Sequence, residues 1–382
     1  MKIVYIAKSL APIGGLERVL SDKMNYLVTK DYDVTLVTYE QGKHPFAFHL
    51  DDRIHHYDLH VVFFALHRYG FLKRVLLQQY YRILFKKRLQ KLITETKPDV
   101  IITTTYSMIV VDKIANLRTS AFKIIESHVA YHVMRKQDSY RPNTILHYIA
   151  RFIDQFTIKA VGKFDLLVTL TKSDAEEWSK HISRMAVIPN PITKYPETVT
   201  HSQDTKCRII CAGRLDGQKG FDMLIDAFAL IADQCPQWHI DIFGSGEEKE
   251  KLMYQIKANG LFGRIVINNP TDDIYHEYSS SDFFVLSSRF EGFGLVLAEA
   301  MSCAIPCVSF NCPYGPEEII TDTVDGLLAK ACEVKDLADK MLWMIIHEEE
   351  RKKMGIRARE KARRYQMDTV MRQWTTLLES VK

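Results

Sequence analysis

No cysteine precedes Cys207 in this 382-residue chain, and the last of its seven is Cys332. None forms a Cys-x-x-Cys pair, and no histidines gather near Cys207/Cys211 or Cys303/Cys307. That spacing speaks against a zinc site, and the odd count against a disulfide framework, so reduced thiols of a cytoplasmic protein are expected. Long apolar runs are also lacking. The longest, Val100–Val111, contains three threonines and falls short of a membrane span. Lys8 interrupts the opening apolar run, so no secretory leader is read there. No Asp-x-Asp spacing stands at the C-terminal end of a strand to hold a divalent ion; Asp51-Asp52 and Asp272-Asp273 are merely adjacent.

Acidic residues are missing from Leu59 to Thr94, a stretch that holds Arg68, Lys73, Arg74, Arg82, Lys86, Lys87, Arg88 and Lys91 among leucines and aromatics. Residues 1–190 carry 28 Lys+Arg against 18 Asp+Glu, and the remaining residues 23 against 29. A basic first half suits an anionic substrate or an anionic membrane surface. An ordinary packed helix accounts for the same composition, because Lys73, Arg82 and Lys87 fall on different faces. Nucleic acid is not expected as a partner.

What the chain does have is alternation. Short β-rich runs (Lys2–Ala7, Asp33–Thr38, Asp99–Thr103, Lys123–Glu126, Asp165–Leu170, Met185–Ile188) alternate with helical patterns in the first half. The second half repeats this with Cys207–Ala212, His239–Phe243, Arg264–Ile267, Phe283–Leu286 and Pro306–Phe310. Such alternation predicts parallel sheets built from βαβ units. The periodicity breaks from Pro189-Asn190-Pro191 to Asp204. Two α/β domains are therefore expected, doubly wound and Rossmann-like, over 1–190 and 191–364. Their ligand edges would face a cleft. Residues 365–382 form a last helix with an apolar stripe of Val370, Met371, Trp374, Leu377 and Leu378.

The chemistry concentrates at Arg289-Phe290-Glu291-Gly292-Phe293-Gly294-Leu295, which follows the strand Phe283–Leu286 and opens a helix near Gly294. Glycines at a helix N-terminus let backbone N–H groups approach an anion. Glu291 in the loop and Glu299 a turn inside the helix would repel that anion unless they serve hydroxyls. A sugar nucleotide supplies both, a diphosphate and hydroxyl-rich rings.

These residues resemble the paired-glutamate signature of retaining glycosyltransferases of family 4, which have the GT-B fold. Ala212-Gly213-Arg214-Leu215 with Lys219-Gly220-Phe221-Asp222 is similar to that family's diphosphate segment. Gly14-Gly15-Leu16-Glu17-Arg18 is similar to its first glycine-rich loop, and Gly315-Pro316-Glu317-Glu318 through Gly326-Leu327-Leu328 continues the pattern. The resemblance runs almost unbroken from Ile209 to Leu328 and is sparser in the first half.

The resemblance implies that Arg214 and Lys219 stabilise the departing diphosphate, beside Gly213. It gives Glu291 the transferred sugar and Glu299 the ribose, with backbone N–H groups of Phe293, Gly294 and Leu295 on the phosphates. Gly14 and Gly15 would meet phosphate or sugar; Arg18 is not assigned a contact. His128, after the strand Lys123–Glu126, would stand beside the transferred sugar, with Glu126 the alternative. Gly244-Ser245-Gly246 fails as a dinucleotide fingerprint because Lys249 holds the third glycine position. In the family such a loop lies beside the nucleotide, and Asn268–Thr271 would face the base.

The implied activity is transfer, with retention and without a metal or cofactor, of a hexosyl or N-acetylhexosaminyl group from a UDP-sugar. The implied acceptor is a saccharide or lipid-linked oligosaccharide in polysaccharide biosynthesis. The protein would be cytoplasmic, or peripheral at the inner membrane face, with its last helix crossing back onto the first domain. A GDP-mannose-dependent mannosyltransferase is the nearest alternative. A nucleotide-sugar epimerase would need a second acid/base pair that is not visible, and a non-catalytic binder has little use for leaving-group cations.

Overall fold

The computed structural model describes residues 1–135, 140–199 and 207–381. The chain divides into two compact units, Met1–Pro189 with Met371–Lys382, and Asn190–Val370. Of the expected linker Pro189–Asp204, residues 200–204 lie outside the described residues.

The first unit is a seven-stranded sheet in the order β3-β2-β1-β4-β5-β6-β7, parallel at every pairing. The strands are β1 (Lys2–Ala7), β2 (Asp33–Thr38), β3 (His55–Asp58), β4 (Val100–Thr104), β5 (Phe122–Ser127), β6 (Leu166–Thr169) and β7 (Met185–Val187). Its helices are α1 (Gly15–Thr29), α2 (Phe71–Thr96), α3 (Val111–Ala115), α4 (Tyr131–Met134), α5 (Ile145–Val161) and α6 (Lys172–Ser179). Central β1 is apolar on both faces because helices cover both, the usual condition of an all-parallel sheet. Edge strand β3 was not expected: His55, His56 and Tyr57 are exposed, so no buried alternation marks it.

The second unit is a six-stranded parallel sheet ordered β10-β9-β8-β11-β12-β13. Its strands are β8 (Arg208–Ala212), β9 (His239–Phe243), β10 (Ile265–Asn268), β11 (Phe283–Leu286), β12 (Cys307–Asn311) and β13 (Gly326–Lys330). The helices are α7 (Phe221–Ile231), α8 (Lys249–Ala258), α9 (Ile274–Ser279), α10 (Leu295–Ser302), α11 (Pro316–Ile319), α12 (Val334–Ile346) and α13 (Glu348–Ala362). β13 is the other unexpected strand; it opens on a glycine and lies at the edge. Arg208 ties the lower part of this sheet, bonding Asp241 and Glu277 at 2.6 Å each.

The last helix, α14 (Met367–Ser380), begins in the second unit and belongs to the first from Met371 onward. Val370, Met371, Trp374 and Leu378 are fully buried, so the stripe read from sequence is a packing face. The Trp374 ring lies 3.7 Å from the Lys23 ammonium of α1. All seven cysteines are free, and five of them are buried. Among the described residues no helix is long and apolar enough to cross a membrane.

Candidate active site

In the second unit the chemistry gathers where β8 and β11 end. These neighbours pair through Phe283↔Ile209 and Phe284↔Ile210, so the loops that follow them emerge side by side. The Lys219 ammonium meets Glu291 Oε1 at 2.7 Å, and the Ser288 hydroxyl donates to the same oxygen at 2.6 Å. Both charged side chains are largely buried. Lys219 is aimed by its stem, which crosses Gly213: a Cβ there would sit 3.3 Å from three of its carbons. Gly220 follows in the left-handed region (φ +61), where a Cβ would fall 2.1 Å from the Ser287 carbonyl oxygen. The Ser287 hydroxyl in turn donates to the Lys219 carbonyl at 2.9 Å.

Arg214 goes elsewhere. It is 61% exposed and bonds Asp216 at 3.1 Å and Gln218 at 3.0 Å. Gln218 also donates to the Phe290 carbonyl at 3.1 Å, which joins the two loops. Sequence reasoning missed Gln218, Ser288 and the clamp of Arg289 on Asp222 (2.9 and 2.7 Å). The Arg289 hydrogen bonds hold the Asp222 carboxyl below its usual range. The signal was present, since Arg289 and Asp222 each flank a motif, but their pairing across 67 residues is tertiary.

Gly294 caps α10, Leu295 is its first residue, and Glu299 follows one turn later. The first N–H groups of such a helix have no partner within it. Phe293 is buried edge-on against Tyr365 at 5.5 Å, leaving its backbone as the part able to meet a ligand. This loop rests on the next one: a Cβ on Gly315 (φ +111) would lie 2.0 Å from the Phe293 carbonyl oxygen. Gly315→Ala is therefore expected to push the 291–295 loop out of place and weaken nucleotide binding at least tenfold. Isothermal titration with a nucleoside diphosphate checks it; unchanged affinity would dissociate the two loops.

Gly244 is explained by packing. Its Cβ would fall 2.0 Å from the Gly213 carbonyl oxygen, and Gly213 N–H donates to the Phe243 carbonyl at 3.0 Å. The Asn268 carbonyl accepts from Gly244 N–H at 3.0 Å, so the three loops brace one another. Buried Cys312 is pushed up to about 12 by burial and by Glu291. It is a poor nucleophile. Among the described residues no three His, Cys, Asp or Glu side chains group as metal ligands.

In the first unit Gly14 is the N-cap of α1 and Gly15 its first residue. Glu17 folds back over Gly14, where a Cβ would sit 2.4 Å from its carboxylate. Arg18 stacks on Phe48 at 4.1 Å. His128 follows β5, and its Nε2 lies 3.1 Å from Glu126 Oε2. Glu126 is fully buried and accepts from Lys23 at 2.6 Å. Burial would lift Glu126, but Lys23 and His128 outweigh it and bring the carboxyl down to about 2. Burial lowers Lys23 while Glu126 opposes that shift. At 2.6 Å with an ionised carboxylate, the pair is charged. Sequence reasoning missed Lys23, although Leu20, Lys23, Met24 and Leu27 form one helical stripe and place a lysine among core positions.

The basic stretch 59–94 is partly spent inside the unit. Arg82 pairs with Asp112 at 2.7 Å, and Arg88 donates to the carbonyls of Leu59 and His60 at 2.5 and 3.0 Å.

Residues 13–194 match the family Glycosyltransferase Family 4, and residues 197–361 match Glycosyl transferases group 1. An uncharacterized glycosyltransferase of Haemophilus influenzae is 25% identical over 379 residues, 99% of each chain. A Campylobacter jejuni α-1,4-N-acetyl-D-galactosaminyltransferase, named for a diphospho-undecaprenol-linked saccharide acceptor, is 25% identical over 391 residues, covering 100% of this chain and 99% of that one. Among solved structures, a point mutant of S. aureus TarM in complex with fondaparinux, α-GlcNAc-glycerol and UDP superposes with a TM-score of 0.77 at 15% identity, over 98% of this chain and 99% of that one.

Proposed function

The chain belongs to the family-4 type of GT-B glycosyltransferases, and from that premise we propose that it transfers a hexosyl or N-acetylhexosaminyl unit from a UDP-sugar. The acceptor in this reading is a saccharide or lipid-linked oligosaccharide of cell-surface polysaccharide synthesis. The observation that carries the reading is the Lys219–Glu291–Ser288 cluster at 2.7 and 2.6 Å, just before the N-terminus of α10. It puts a cation, a hydroxyl-accepting carboxylate and helix N–H groups within one loop system. Similarity to the C. jejuni enzyme supports the lipid-linked acceptor.

The proposed step retains configuration. The acceptor oxygen attacks the anomeric carbon on the face from which the diphosphate leaves, and the anomeric C–O bond breaks with its electron pair going to UDP. The acceptor proton passes to a phosphate oxygen of the leaving group, so no side chain is required as base. Lys219 and the α10 N-terminus offset the charge that grows on the diphosphate. Glu291 accepts from sugar hydroxyls and Glu299 from the ribose. Arg214, on its exposed side chain, joins only by swinging away from Asp216. His128 in the first unit is the proposed contact to the transferred sugar.

Thermal shift against a panel of nucleoside diphosphates tests the donor assignment, since binding raises apparent stability by mass action. UDP is expected to stabilise most. Stabilisation by GDP instead would move the assignment to GDP-mannose, and no response to any of them would remove it. Glu299→Ala is expected to weaken UDP about tenfold or more in calorimetry, as one charge-assisted hydrogen bond lost; an unaltered Kd takes the ribose away from Glu299.

A further inference from the structure

Helix α5 carries its apolar stripe on the outside. Its core-facing positions include Ala150, Asp154, Ala160 and Val161. Ile145, Ile149, Phe152 and Phe156, spaced four, three and four apart on one face, are 78, 53, 71 and 52% exposed. An amphipathic helix ordinarily buries such a stripe. The first turns of α2 are exposed all round, with Phe71, Leu72 and Leu76 all more than 70% exposed. The later parts of both helices enter one core cluster together with α3, so all three lie in a single layer on one face of the sheet.

Direction adds to this. In a parallel sheet each helix returns the chain from the C-terminal end of the strands to their start. Since α2 leads into β4 and α5 into β6, both apolar halves lie toward the strand edge from which Gly14 and His128 emerge.

The charges around this surface have one sign. Lys73 and Arg74 are exposed on it, Arg151 is exposed beside the α5 stripe, and the only acidic residue in 71–84 or 145–156 is Asp154, which is buried. A second copy facing this surface would bring the same cations together with no exposed carboxylate in either stretch to meet them. A bilayer with anionic headgroups fits both halves of the pattern: acyl-chain boundary for the stripe, phosphates for the cations. We propose that α5, with the first turns of α2, seats the protein on an anionic lipid surface by shallow insertion of Ile145, Ile149, Phe152 and Phe156. For its purpose, reaching a lipid-linked acceptor, this rests on the function proposed above; the docking itself stands on the outward stripe of α5 and the exposed apolar start of α2.

Vesicle co-sedimentation of the full chain tests it, with phosphatidylcholine alone and with about one-third phosphatidylglycerol. The wild type is expected to pellet with the anionic vesicles. Phe152→Ser/Phe156→Ser should weaken partitioning at least tenfold, and Lys73→Gln/Arg74→Gln should weaken it on anionic vesicles at low salt. These exposed side chains support no core, so unchanged thermal unfolding of both variants certifies that the loss is one of docking. Failure of the wild type to bind, or undiminished binding by the Phe152/Phe156 variant, overturns the proposal. So does light scattering that finds a dimer which that variant splits, because the surface would then join two copies. The vesicle readout uses no nucleotide, so its failure and a failure of the donor assignment are separate results.

Discussion

Lys219→Ala is expected to lower kcat by about a hundredfold to a thousandfold, the usual cost of removing one donor aimed at developing charge, with a much smaller change in donor affinity. The ground-state diphosphate is also met by helix N–H groups, whereas the extra charge of the breaking bond falls to the lysine. The substitution has a second consequence. Glu291, already accepting from Ser288 at 2.6 Å, loses its counterion in a largely buried site. Stability should fall with activity. The double variant Lys219→Ala/Glu291→Gln separates the two, because a neutral amide needs no counterion: thermal stability recovers and turnover does not. Preserved kcat with a matching loss of affinity would show that Lys219 binds the donor without stabilising its departure.

The largest stability effect is expected at Lys23. Lys23→Met leaves the Glu126 carboxylate fully buried without the ammonium at 2.6 Å, and breaking a buried pair in this way costs roughly 3–5 kcal/mol. The Trp374 ring, 3.7 Å from the ammonium, loses its cation too, which loosens the last helix. The sign of the pH dependence distinguishes this cause from general damage. In the wild type the Glu126 carboxyl is depressed to about 2 in the folded state, so its contribution is present above its ordinary value of 4.5 and lost as pH falls toward 2. Without Lys23, burial dominates and raises that carboxyl, so the folded variant takes up a proton as pH falls. The deficit against wild type is therefore expected to be smaller at pH 5 than at pH 7 in denaturant unfolding. An equal deficit at both would mean that packing, rather than charge, is what Lys23 supplies.

The local parts of the candidate site were legible in the sequence, and their assembly was not. Glu291, Gly294 and Glu299 lie within nine residues of one another, and a loop opening a helix admits few geometries; the 72 residues between Lys219 and Glu291 are closed only by the pairing of β8 with β11. Gly220 and Gly315 stand in the sequence only as parts of the family-like motifs; the fold gives each its reason, a positive φ together with a Cβ contact near 2 Å, which no other residue accommodates. Gly244 was read for ligand contact, and its closest neighbour is the Gly213 carbonyl. Arg214, expected beside Lys219 on the diphosphate, lies two residues past the end of β8, with a 61% exposed side chain that bonds Asp216 and Gln218.

Local order along the chain fixed the alternating elements, the two parallel sheets and the loops that carry the glutamates, because hydrophobic period and glycine placement act within a few residues. The burial of Lys23 against Glu126, the clamp of Arg289 on Asp222 and the outward stripe of α5 were decided only by the folded arrangement. Each depends on what a neighbouring element covers. A helical pattern marks an apolar face and a charge, but which face is shielded from water, and which opposite charge stands across from it, is set by segments tens of residues away.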